Sequence, residues 1–159
     1  MKLETLVGIF FLLCTFMVPT ALASGGDAIG SLPAATAEGN AVNVPPKKSH
    51  TNDDGVTVDN KEKSKGNVRV TPKIGDEDSQ TTVTCKNGAI ADITGLDSND
   101  TCDVGANCNV TISAAGSTIT MAGGSTATVT NTGSSPLVVH TPAGGSTSIP
   151  AGNSATINT

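Results

Sequence analysis

The sequence has no tryptophan and no tyrosine, and its three phenylalanines, Phe10, Phe11 and Phe16, all fall within the first 17 residues. Deep apolar pockets are lined by aromatic and aliphatic groups, so this shortage argues against a compact enzyme built around one. Basic residues are scarce as well. Nine Lys and Arg stand against 14 Asp and Glu, a net charge of −5, which excludes the basic footprint of a nucleic-acid-binding protein. The third shortage is local: after Asp103 no Asp, Glu, Lys or Arg occurs through to Thr159. Exposed strand edges are ordinarily guarded by charge, often lysine. Their lack implies edges that are covered by the chain itself, paired with another subunit or built into an extracellular assembly, unless hydroxyls and a charged tether alone keep the domain soluble.

Catalytic constellations are also missing. The sequence contains no Gly-x-Ser-x-Gly elbow, phosphate loop, zinc-ligand spacing or Cys-x-x-Cys. His140 follows Val138-Val139, and its nearest carboxylate in sequence is Asp103. No catalytic residue, cofactor or enzymatic activity is therefore expected.

What is present begins with a leader. Lys2 precedes an apolar stretch from Leu6 to Val18, then Pro19 and Ala21-Leu22-Ala23 before Ser24-Gly25-Gly26, the pattern of a secretory signal peptide over residues 1–23 cleaved after Ala23. About 13 apolar residues are too few to cross a bilayer roughly 30 Å thick. The expectation is a secreted, extracellular or periplasmic protein with no membrane span after cleavage. Cys14 follows Leu13, where a lipoprotein signal wants a small residue.

Residues 24–80 read as a disordered linker, mixing charged residues with only scattered Val and Ile, too few to offset ordering costs of about 1–2 kcal/mol per residue, although Val56-Thr57-Val58 and Val68-Arg69-Val70-Thr71 alternate briefly and could add an edge strand, the second closed by Pro72. Residues 81–159 read as a Thr/Ser/Gly-rich β-domain. Thr81–Cys85, Ala89–Thr94, 109–113, 117–121, 125–132, 136–141, 146–149 and 154–158 are candidate strands, punctuated by Gly, Pro and Asn turns. The fold class is all-β: a small antiparallel β-sandwich, with a short β-solenoid as the alternative. The lack of rings leaves a modest core, which points to a disulfide, a partner or self-assembly as additional support.

Three cysteines remain after the leader, and an oxidising compartment favours one pair. Linking Cys85 to Cys108 would remove denatured-state entropy worth about 3.4 kcal/mol, and Cys102 to Cys108 about 2.4 kcal/mol, so Cys85 with Cys102 or Cys108 is expected. The stretch 97–103 reads as an acidic turn closed by Asx-type hydrogen bonds, with calcium held by Asp97, Asn99 and Asp103 as the alternative. Asn99 and Asn109 each open an N-glycosylation sequon, which matters only in a eukaryotic source.

The run Thr128-Val129-Thr130-Asn131-Thr132-Gly133-Ser134-Ser135-Pro136-Leu137-Val138-Val139, followed by Ile149-Pro150-Ala151-Gly152-Asn153-Ser154-Ala155-Thr156-Ile157, resembles immunoglobulin-like modules of the ASH/Hydin kind and related bacterial surface domains. The likeness covers residues 126–157 and implies a sandwich core filled by Leu and Ile, with an interaction role and no catalysis. The functional expectation is a secreted or cell-surface structural or interaction protein that binds a protein partner or its own copies through β-sheet edges. The alternative is a ligand-binding module. A glycan version lacks aromatic rings for stacking, an ice-binding version would use Thr-x-Thr pairs such as Thr118/Thr120 and Thr128/Thr130, and a secreted inhibitor stands behind both.

Overall fold

The computed structural model describes residues 37–38, 41–74 and 80–159. The expected leader, its cleavage point after Ala23 and most of residues 24–40 lie outside them. The described chain is all-β and forms a short β-solenoid of about three turns, so the alternative reading of the sequence holds and the antiparallel sandwich does not.

Three rungs make the body. In each, one strand on a first sheet turns a corner into one on a second: β6 (Gln80–Cys85) into β7 (Ile90–Leu96), β8 (Thr101–Val104) into β9 (Asn109–Ala114), and β10 (Thr118–Met121) into β11 (Thr126–Asn131). Like strands stack in parallel register, β6 on β8 on β10 and β7 on β9 on β11. A fourth strand on the first sheet, β12 (Leu137–Thr141), continues parallel to β10. Antiparallel strands then close the stack: β13 (Gly145–Ile149) on β12, and β14 (Ser154–Asn158) on β11.

Period-two alternation fits this arrangement because each strand has one inward and one outward face. Inward residues stack in rows, Val83, Cys102, Ile119 and Val139 on one sheet and Ala91, Val110, Ala127 and Ile157 on the other. All eight are buried. The layer between the sheets is thin enough to be filled by Val, Ile, Leu, Ala, Met and Cys, which is why the domain dispenses with rings.

The corners explain why the repeat escapes the eye. From the first sheet to the second the step is eight residues in every rung (83 to 91, 102 to 110, 119 to 127), and Gly88, Asn107 and Gly124 take positive φ at the stacked corners. The return varies: 91 to 102, 110 to 119 and 127 to 139 span 11, 9 and 12 residues. A bulge between Ile93 and Leu96, with Gly95 at φ 86°, and corners of different length absorb the difference.

The expected linker over 24–80 is corrected for its described part. Five strands lie there: β1 (Ala37–Glu38), β2 (Val42–Val44), β3 (Lys48–Thr51), β4 (Thr57–Asn60) and β5 (Val68–Ile74). β5 pairs antiparallel with β6 and β4 antiparallel with β7, capping the solenoid at its N-terminal end. Val44, Val56, Val58, Val68 and Val70 are buried in the common core. The segment needs no core of its own, because it lays alternating valines over an end that the rungs leave open. The same five valines make the core larger than residues 81–159 alone supply.

Two buried asparagines tie the corners. Asn60 Nδ2 donates to the carbonyls of Val44 and Gly66 at 2.8 and 2.9 Å. Asn131 Nδ2 donates to the carbonyls of Ser135 and Ile149 at 2.8 and 2.9 Å, while its Oδ1 accepts the Gly133 N–H at 2.9 Å. Asn131 thus organises the turn from 131 to 135.

Candidate functional site

Alternation sends Thr, Ser and Asn outward on both sheets. On the second sheet three rows cross β9, β11 and β14: Asn109, Thr126 and Asn158; Thr111, Thr128 and Thr156; Ser113, Thr130 and Ser154. Rotamers are held across β11 and β14 by side-chain hydrogen bonds, Thr126 Oγ1 donating to Asn158 Oδ1 at 2.9 Å, with hydroxyl pairs Thr128–Thr156 at 3.1 Å and Thr130–Ser154 at 2.7 Å. The Thr-x-Thr pair Thr128/Thr130 lies in this array and Thr118/Thr120 on the opposite face, each in register with its neighbours. The missing fixed period in the sequence therefore reflects variable corners, and the ladders themselves are regular.

Charge on this outer face is confined to the other end. On the same outer face Asp59 stands beside Asp92, and Lys61 Nζ bridges them at 2.5 and 2.6 Å. Hydrogen bonds to Asp59 and then Asp92 push the Lys61 pKa up. The two ends of the solenoid differ accordingly. The N-terminal edges are short, with β1 and β2 at two and three residues, and the edge strand β3 carries Lys48 behind Pro45-Pro46. The C-terminal edges, β13 and β14, are five residues each and hold no charge and no proline. Among the described residues Val138 is the one exposed large hydrophobic side chain, so no apolar patch competes with these edges as a contact surface.

No family model, curated protein or solved structure matches the chain. Function therefore has to be argued from these surfaces.

The remaining sequence candidates can now be placed. Asp97 and Asn99 are exposed in the corner between β7 and β8, where Asp97 Oδ1 accepts the Asn99 N–H at 2.8 Å, an Asx turn. Asp103 projects from the outer face of β8 between Thr84 and Thr120, away from that turn. The calcium set does not converge, and among the described residues no three His, Cys, Asp or Glu side chains group so as to hold a metal ion. The residue that matters in this corner is Asp100, buried, with Oδ1 accepting the Thr81 N–H at 2.7 Å and Oδ2 the Asp97 N–H at 2.9 Å. Burial pushes its carboxyl pKa up, while the two donors pull the other way. It is invisible in the sequence because it sits in a run of polar residues that all look like surface.

The expected disulfide from Cys85 is also corrected: Cys85, Cys102 and Cys108 are free and buried. Cys85 sits beside Val104 and Cys102 beside Val83, two steps out of register on parallel strands. Strands about 4.8 Å apart with a rise of about 3.3 Å per residue separate their Cα atoms by about 8 Å, beyond the roughly 7 Å a disulfide tolerates. Cys108 turns its thiol into its own corner, donating to the Ala106 carbonyl at 3.8 Å. Burial, first of all, pushes the Cys85 thiol up to about 12 and the Cys102 thiol well above its ordinary value, so both resist ionisation.

His140 is exposed on β12, paired with Ser146 and next to Thr120. Asp103 lies on the far side of Thr120, two strands away. At about 4.8 Å per strand that gap is near 10 Å, too long for the carboxylate to orient the imidazole. Asn99 and Asn109, the sequon residues, are both exposed. Among the described residues no helix is long and apolar enough to cross a membrane.

Proposed function

We propose that this chain is a secreted or cell-surface protein with a structural or interaction role and no catalytic one, associating through the open edges of its sheets. The observation that carries this reading is the contrast between the two ends. One has short edges that carry charge; the other presents β13 and β14, five residues each and neutral. The leader pattern over residues 1–23 supports export, and the two-strand gap between His140 and Asp103, the nearest carboxylate in sequence, supports a role without catalysis. Sedimentation velocity across a concentration series tests it: association that grows with concentration is expected, and a strict monomer throughout contradicts it.

A second reading rests on the outer array of β9, β11 and β14. Its hydroxyls and amides repeat at about 4.8 Å between strands and about 6.6 Å along them, a flat and uncharged two-dimensional lattice. Such a face suits an ordered, hydroxyl-bearing surface such as ice better than a single sugar, because it offers no ring on which a sugar would stack. Thermal hysteresis of the purified chain is the test; a freezing point equal to the melting point removes this reading.

A further inference from the structure

The edge of β14 is more specific than an open strand. At one end of the β11 and β14 pair the Thr159 N–H donates to the Ser125 carbonyl at 3.0 Å, and at the other the Asn131 N–H donates to the Asn153 carbonyl at 2.9 Å. Positions 153, 155, 157 and 159 therefore turn their backbone toward β11. Antiparallel alternation then points the N–H and C=O groups of Ser154, Thr156 and Asn158 away from it, into the edge. Among the described residues β14 pairs with β11 alone. The strand is symmetric about Thr156 in the sense that matters: an outward-pointing residue lies two positions to either side.

We infer that β14 pairs with the β14 of a second copy of this chain, antiparallel, about a two-fold axis at Thr156. The inference rests on the edge-association reading above and names its partner. Ser154 then stands opposite Asn158 of the second copy, Thr156 opposite its own counterpart, and Asn158 opposite Ser154. Every outward N–H and C=O of the three residues gains a partner. The charge pattern fits, since neutral strand meets neutral strand while Lys61, Asp59 and Asp92 remain at the far ends. The second sheet runs unbroken from one copy into the next, and the row Thr111, Thr128, Thr156 continues into the same row of the second copy. A two-fold contact closes on itself, so the product is a dimer and not a fibre.

The axis supplies the test, because a residue at 156 faces its own counterpart at a Cβ separation of about 5 Å. Thr156→Lys and Thr156→Glu place like charges together in each homodimer and opposite charges together in a mixture. Thr156 is exposed, so both variants should fold, which thermal unfolding verifies. By sedimentation velocity on the full chain, each variant alone should associate at least tenfold more weakly than the unmodified protein, and an equimolar mixture should recover a dimer. As an independent check, Thr156→Cys under mild oxidation should give a covalent dimer through position 156, the native thiols being buried. Variants that dimerise as tightly as the unmodified chain, a mixture no tighter than its components, or absence of the covalent dimer overturns the β14 axis. If the unmodified chain associates in spite of that, edge association stands and only this axis fails. If the unmodified chain never associates, the edge reading itself fails.

Discussion

Replacing Asn131 by alanine removes three hydrogen bonds from a fully buried side chain. Two carbonyls, of Ser135 and Ile149, lose a donor, and the Gly133 N–H loses its acceptor. A buried group left unpaired costs about 1–3 kcal/mol, carbonyls with their second lone pair at the low end and an N–H at the high end. Only the Ile149 contact is fully buried and the Ser135 and Gly133 contacts are half-buried, so the sum is about 2–4 kcal/mol, still a large share of the roughly 5–15 kcal/mol that holds a domain together. Asn60 provides an internal reference. It makes the same pair of carbonyl contacts at the other end of the solenoid, but its Oδ1 has no partner among the described residues. Asn60→Ala should therefore cost about 2–3 kcal/mol, less than Asn131→Ala by the value of one N–H acceptor. Asn131→Asp should be at least as damaging as alanine, since it sets a carboxylate against two carbonyls. Urea unfolding at constant m-value measures all three. An Asn131→Ala cost below about 1 kcal/mol, or one no greater than that of Asn60→Ala, refutes the assignment of corner-tying to these bonds.

Three further outcomes follow from other parts of the molecule. The Cys85 thiol titrates near 9.0 when unfolded and near about 12 when folded, so between those values the unfolded chain has lost a proton that the folded chain keeps. Stability should be intact below pH 9 and fall above it by about 1.4 kcal/mol per pH unit from this thiol, and Cys85→Ala should make the slope measured by urea unfolding shallower while the contribution of Cys102 remains. Asp100→Ala should cost about 2–3 kcal/mol in the same assay, because it strands the buried N–H of Thr81 and the half-buried N–H of Asp97. Gly66→Ala should prevent folding or force a local rearrangement, since its Cβ would collide with the Lys86 carbonyl oxygen, whereas Gly123→Ala, with open space around it, should leave the melting temperature unchanged.

Strand positions in residues 81–159 were legible because outward Thr and Ser alternate with inward Val and Ile, and the expected strand over 154–158 coincides with β14. Direction was not legible. Parallel and antiparallel pairing both use period two, and the stacking signal was blurred by return corners of unequal length. β8 escaped notice because Cys102 and Asp103 sit in an acidic run that resembles a loop, although their alternation, Cys in and Asp out, is that of a strand. Of the capping strands, β4 and β5 show their alternation at Val56-Thr57-Val58 and Val68-Arg69-Val70-Thr71, with Pro72 lying inside β5; β2 and β3 do not stand out, because the two valines of β2, with none in β3, support a strand only against the core that the rungs provide. Of the candidate surface, the charge-free C-terminal stretch was plain in the sequence; that it forms one end of a solenoid, opposite a guarded end, was not.

Hydrogen exchange at the C-terminal edge, followed residue by residue as concentration rises, reports directly on whether copies pair through β14. The amides of Ala155 and Ile157 are bonded to β11 and should be protected at every concentration. Those of Ser154, Thr156 and Asn158 should exchange freely in dilute solution and become protected as the chain associates. Association that leaves these three amides unprotected would contradict the account.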